Sequence, residues 1–123
     1  LNRDLIPQLE PLVECLTAWR GSLVEVVEQI TRSPGTLDRH FTTTSTLVLR
    51  LDYVGIAFSG GTLMLLGKIL GRDVGYQATI ERLERLSVDS TEVVFVERFE
   101  SAVERHSTFR RLVEAPDAEP MKD

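Results

Sequence analysis

Apolar residues recur at helical spacing through much of the chain, and that period predicts a mostly helical protein. Leu5, Leu9, Leu12, Leu16 and Trp19 fall on one face. Pro7 suits a first helical turn, while Pro11 removes a further backbone donor and predicts a kink or a late start. Gly21 breaks this run. Ser22 and Glu25 then carry the spacing of a capping box. Leu23, Val26, Val27 and Ile30 follow at i, i+3, i+4 and i+7, opposite Glu25, Glu28, Gln29 and Arg32. By period this is the clearest helix, and Ser33-Pro34-Gly35 ends it. YQATIERLERLS (76–87) steps Ile80, Leu83 and Leu86 along one side, with Glu81 and Arg85 as an i,i+4 pair.

The stretch STEVVFVERFESAVERH (90–106) reads two ways. As a strand it places Val93, Phe95, Glu97 and Phe99 on one face, with a carboxylate among core side chains. As a helix it gathers Phe95, Val96, Phe99, Ala102, Val103 and His106 on one side and continues through Phe109 and Val113. Apolar alternation stops after Phe99, whereas the helical stripe runs on, and Asp89 or Ser90 offers an N-cap. The expectation is one amphipathic helix over 90–113, with Glu97 facing water.

The middle supports both periods. Leu47, Leu49, Leu51 and Tyr53 alternate with Val48, Arg50, Asp52 and Val54, as in a strand, while Phe41, Val48 and Leu51 also fit a helical seam. Ser59-Gly60-Gly61 marks a break before the apolar TLMLLGKIL (62–70). With 90–113 helical, the strand candidates are confined to residues 43–70, and a two-stranded hairpin is marginal without further support. The expected fold is therefore all-α: a compact bundle of five or six helices with a buried apolar hairpin at 41–70. The alternative is a small α+β domain with a short sheet from residues 43–70. One domain over 1–114 and a flexible tail over 115–123 complete this organisation.

Composition narrows the function. Hydrophobic residues make up 42% and charged residues 27% of the 123, an ordinary globular balance. The net charge of −5 and the absence of a Lys/Arg run argue against a nucleic-acid partner. A single cysteine, Cys15, permits no internal disulfide and fits a reducing, cytoplasmic setting. The uncharged window from Tyr53 to Gly67 falls short of the ~20 apolar residues of a membrane helix.

Candidate chemistry is sparse. His40 and His106 lack neighbouring ligands at metal-binding spacing, so no metal and no cofactor are expected. His106 lies on the apolar stripe as a packed or interface histidine. Arg50 and Asp52 form a polar pair within the most apolar segment, read as a structural pair or, functionally, as a ligand clamp. LVLRLDYVGIAFSGGTLMLLGKIL (47–70) resembles the strand–loop–helix of STAS-type regulatory domains. That resemblance implies Ser59 as a modified residue, although a glycine stands where the family has an acidic neighbour. With the preceding LDRHFTTT, the stretch is also similar to the helical hairpin of the apolipoprotein L family, apart from Arg50 and Asp52.

These observations point to a non-enzymatic protein-interaction or regulatory module, a homodimer pairing through helix 90–113. Phe95, Phe99, Val103, His106 and Phe109 would form its interface. Two alternatives accompany it: a small α+β lyase or isomerase using Glu97 as acid/base and Arg50 as anion clamp, and a binder of apolar ligands or membranes through the 53–67 hairpin.

Overall fold

A computed structural model describes residues 3–32, 41–57, 59–100 and 102–113. It overturns the helical bundle. One short helix, α1 (Ile6–Thr17), precedes seven strands: β1 (Leu23–Arg32), β2 (Phe41–Ala57), β3 (Thr62–Ile69), β4 (Arg72–Thr79), β5 (Leu83–Val88), β6 (Glu92–Phe99) and β7 (Val103–Arg111). All are antiparallel in one sheet of order β4-β3-β2-β1-β7-β6-β5. Each strand except at the β4–β5 step lies beside its sequence neighbour, and β7 returns to pair with β1. The sheet is thus an up-and-down barrel opened at one seam, between β4 and the β5–β6 side.

The first expected helix is present. Leu5, Leu12, Leu16 and Trp19 are buried, because the helix lies across the concave face and touches β2 on one flank and β5 on the other. Pro11 is accommodated inside it. The second expected helix is instead β1, the central strand, paired on both sides with β2 and β7. Its sequence LVEVVEQITR is rich in β-branched residues, which fit a pleated surface between two neighbours better than a helix. Val24 and Val26 face the core.

The expected helix 90–113 is a hairpin, β6 turning into β7 with Phe99 opposite Val103. Ala102 takes a left-handed φ of 59° to close it. Val93, Phe95, Glu97, Ser107 and Phe109 point inward and are buried. The stretch 76–87 is likewise no helix: it is the end of β4, a 3-10 turn at Ile80–Arg82 and most of β5. The alternation read at 47–53 holds through Leu51 in the long strand β2; a register shift between Leu51 and Tyr53 then leaves Tyr53 exposed and buries Val54. Of the two states the apolar stretch 62–70 allows, helix or strand, it takes the strand, as β3, so neither the STAS strand–loop–helix nor the apolipoprotein L hairpin is present. Leu70 (φ 49°) and Gly71 (φ 78°) make a two-residue turn of the kind that matches strand twist.

Hydrogen-bond parity follows from these pairings. The Leu51 amide donates to Ser22 and the Leu112 amide to Leu23. Odd-numbered residues of β2 up to Leu51 therefore address β1, and even-numbered ones address the opposite side. The pairing of β2 with β3 begins only at Arg50, opposite Lys68.

Candidate functional site

The concave face carries a polar row beside the apolar core. Glu97 on β6 stands opposite Arg105 on β7, and Glu28 on β1 stands opposite Ser107. Glu97 is 0% exposed. Arg105 grips it with two parallel bonds, Nε to Oε1 at 2.7 Å and Nη2 to Oε2 at 2.7 Å. This two-pronged geometry is the strong form of a charge-assisted contact. The Thr79 amide donates a third bond to Glu97 Oε2 at 2.7 Å. Arg105 Nη2 also donates to the Gln77 carbonyl at 2.9 Å. Its guanidinium lies 5.5 Å from the Tyr76 ring centre and 5.9 Å from that of Phe99.

Gln77 and Thr79 sit on β4, and their backbone groups point away from β3, toward the seam. The Glu97–Arg105 pair therefore supplies what a closing strand would supply: an acceptor for one edge amide and a donor for one edge carbonyl. The buried carboxylate is a closure device. With three donors on its two oxygens and no exposed surface, Glu97 is engaged as a structural partner and is not directed into a cavity.

Tyr76 extends the row. Its hydroxyl donates to Glu28 Oε2 at 3.0 Å, so the 2.6 Å contact with Ser107 is a bond accepted from the serine. Burial and the Glu28 carboxylate push the phenol up to about 12, against the opposing pull of Ser107 and Arg105. The phenol is neutral below that value in the folded chain. Unfolding returns it to the ordinary value near 10, so the folded state binds the proton more tightly and stability falls as pH rises from about 10 to about 12. Phenolate absorbance followed through alkaline titration should show a late component that Tyr76→Phe removes. A titration unchanged by that substitution would contradict the buried geometry.

The residues singled out by sequence fall apart in space. Phe95 and Phe109 are buried in the core and unavailable as an interface, and Phe99 and Val103 face each other at the hairpin end. His106 is on the convex face, 3.1 Å from Glu104. It lines a shallow apolar groove of about 600 Å³ along β5, with Leu5, Leu86, Val94 and Val96. Arg50 also faces outward and donates to the Gly21 carbonyl at 2.7 Å, while the Asp52 carbonyl accepts from Arg20. The inward Glu97 and outward Arg50 are on opposite faces of the sheet, so they form no common site. Ser59 (φ 58°) and Gly60 (φ 89°) lie in the β2–β3 turn, with no helix following to cradle an anion. His40 and the 115–123 tail lie outside the described residues. Cys15 donates its thiol to the Asp89 carbonyl at 3.2 Å. Among the described residues no group of three or more His, Cys, Asp and Glu is gathered to hold a metal, and no helix is long and apolar enough to cross a membrane.

A feature of the backbone went unread in the sequence. Each edge of this sheet is either covered or bare. The β5 edge lies against α1, and β4 is bridged at Gln77 and Thr79. The stretch Phe41–Val48 of β2 is different: it pairs with β1 on one side, and among the described residues no strand lies on the other. Its residues Phe41 to Thr46 are exposed, and the sequence FTTTSTLV contains no charge and no proline. Natural edges are usually blunted by lysine, proline or a bulge. This one is left open over about 27 Å, at the usual rise per strand residue. The signal was legible as a run of Thr with Phe, Leu and Val, but its exposure depends on where β3 ends. No protein-family model matches this chain, no curated protein is significantly similar to it, and no solved structure matches it.

Proposed function

We propose that this chain is a non-enzymatic interaction module that accepts an extended segment on the open edge of β2. The observation that carries this reading is the uncharged Phe41–Val48 edge, with the backbone groups of Thr42, Thr44, Thr46 and Val48 directed away from β1. Strand addition draws its affinity from such main-chain groups and its selectivity from alternate side chains. The burial of Glu97 favours binding over catalysis, since a carboxylate with no exposed surface and three protein donors is out of a substrate's reach. The single thiol, Cys15, supports a reducing compartment such as the cytoplasm.

Amide exchange tests the reading at residue resolution. In dilute protein, the amides of Thr43, Ser45 and Leu47 should exchange slowly, because they address β1. Those of Thr42, Thr44, Thr46 and Val48 should exchange fast. A peptide of sequence FTTTSTLV in excess should slow the second set and leave the first unchanged. If the even-numbered amides are already slow in dilute protein, or stay fast with the peptide, the open-edge reading fails.

A further inference from the structure

The open edge is self-complementary, and we infer that its partner is a second copy of this chain, paired antiparallel about a two-fold axis at Thr44. This rests on the open-edge reading above. Two constraints limit the axis, and the length of the open stretch, residues 41 to 47, centres it on Thr44. Two antiparallel strands related by a two-fold perpendicular to the sheet must place residues of one face opposite residues of the same face. The pairing must also use the even-numbered groups that point outward. An axis at Thr44 meets both. The Thr44 amide and carbonyl of one copy then meet those of the other, and Thr42 exchanges bonds with Thr46 of the second copy.

The side chains agree with this register. Phe41 would lie opposite Leu47 on the concave side, beside Thr43 opposite Ser45. On the convex side Thr42 would lie opposite Thr46. Aromatic–aliphatic and Thr–Thr/Ser pairs are favourable cross-strand neighbours, and no like charges are opposed. The length of the gap agrees as well. Extending the β2–β3 register, in which Arg50 meets Lys68, puts the Leu70–Gly71 turn level with Val48. An incoming strand can therefore pair as far as residue 47 and then abuts that turn. In this register the incoming Phe41, 48% exposed in the single chain, ends beside Leu70, which is 98% exposed. Two apolar side chains otherwise left in water are brought to one place.

Cysteine cross-linking in a Cys15→Ser background tests both partner and register. Thr44→Cys places two thiols directly across the axis, at a backbone separation that a disulfide spans. Mild oxidation should give a covalent dimer. Thr42→Cys puts its thiols about 14 Å apart and should give none, whereas a mixture of Thr42→Cys and Thr46→Cys chains should cross-link. Sedimentation of the full chain should show a monomer–dimer equilibrium. Thr44→Pro, which removes the donor at the axis from both copies, should weaken it roughly 10–100-fold. Circular dichroism of Thr44→Pro, at a concentration where the parent chain is monomeric, checks that it stays folded. Thr44→Lys serves as the second variant and should weaken association in the same direction. A dimer that Thr44→Cys does not trap and Thr44→Pro does not weaken overturns the inference. So does a chain that stays monomeric at every concentration. In that last case slowing of the even-numbered amides by the FTTTSTLV peptide still upholds the open edge, with an extended segment of another protein as its occupant.

Discussion

Glu97→Ala is expected to destabilise the folded chain by about 3–5 kcal/mol, the range for removing one partner of a buried ion pair. The residue is 0% exposed, and its loss leaves the Arg105 guanidinium with the longer 3.5 Å contact to Glu28 as its remaining carboxylate. It also removes the acceptor of the Thr79 amide. A second variant separates these effects. Replacing both Glu97 and Arg105 by methionine removes both charges of the pair, and for a simple ion pair such a swap restores most or all of the stability. Here the seam also depends on the pair. Thr79 and Gln77 lose their side-chain partners, so the double variant should retain a loss of about 1–3 kcal/mol. Urea unfolding followed by the fluorescence of Trp19 measures both values. Amide exchange at Thr79 provides the local check: protection in the parent chain, little in the double variant. A double variant as stable as the parent, with Thr79 still protected, would show that the seam closes without Glu97 and Arg105.

Trp19→Ala is expected to cost about 3–5 kcal/mol, in line with emptying a buried aromatic site. Trp19 is 1% exposed and sits where the end of α1 meets the start of β1. Its indole Nε1 donates to the Ser90 carbonyl at 3.1 Å, which fastens that corner to the turn between β5 and β6. Two contributions are separable. Trp19→Phe keeps most of the apolar volume and loses the hydrogen bond, so it should cost about 0.5–1.5 kcal/mol plus a smaller packing loss. Thermal unfolding by circular dichroism reports both without relying on the lost fluorophore. Equal costs for the two variants would mean that the indole bond dominates and that packing beneath the helix contributes little. Domains of this kind have total stabilities of about 5–15 kcal/mol. Trp19→Ala alone is thus a large fraction of the whole.

The polar row explains why the period of residues 90–113 misleads. Odd-numbered positions of β6 and of β7 run along the concave face, so the alternation holds in both strands. It stops being apolar, because Glu97, Arg105 and Ser107 occupy inward positions. A strand whose inner face carries a closed polar network does not show an apolar period of two. The helical projection then gathers the remaining apolar residues into a stripe by default. In β1, Glu28 does the same: it interrupts the inward series of Val24, Val26 and Ile30, and leaves Leu23, Val26, Val27 and Ile30 to mimic a helix. The strand reading of 90–106, with its carboxylate among core side chains, was the correct branch. What it lacked was the partner Arg105, eight residues on and across the hairpin.

By itself the sequence determined the elements whose hydrogen bonds are local. The amphipathic face of α1 and the breaks at Gly21 and Ser59-Gly60 follow from neighbouring residues, and the structure contains each of them. The tertiary structure alone decided the state of 23–32 and 92–111, the position of Glu97 and the exposure of 41–48. A strand satisfies its backbone through chains distant in sequence. The Thr79 amide finds its acceptor on Glu97, and the open edge of β2 exists because β3 turns back at Leu70. Non-local pairing of that kind leaves no period to read along the chain.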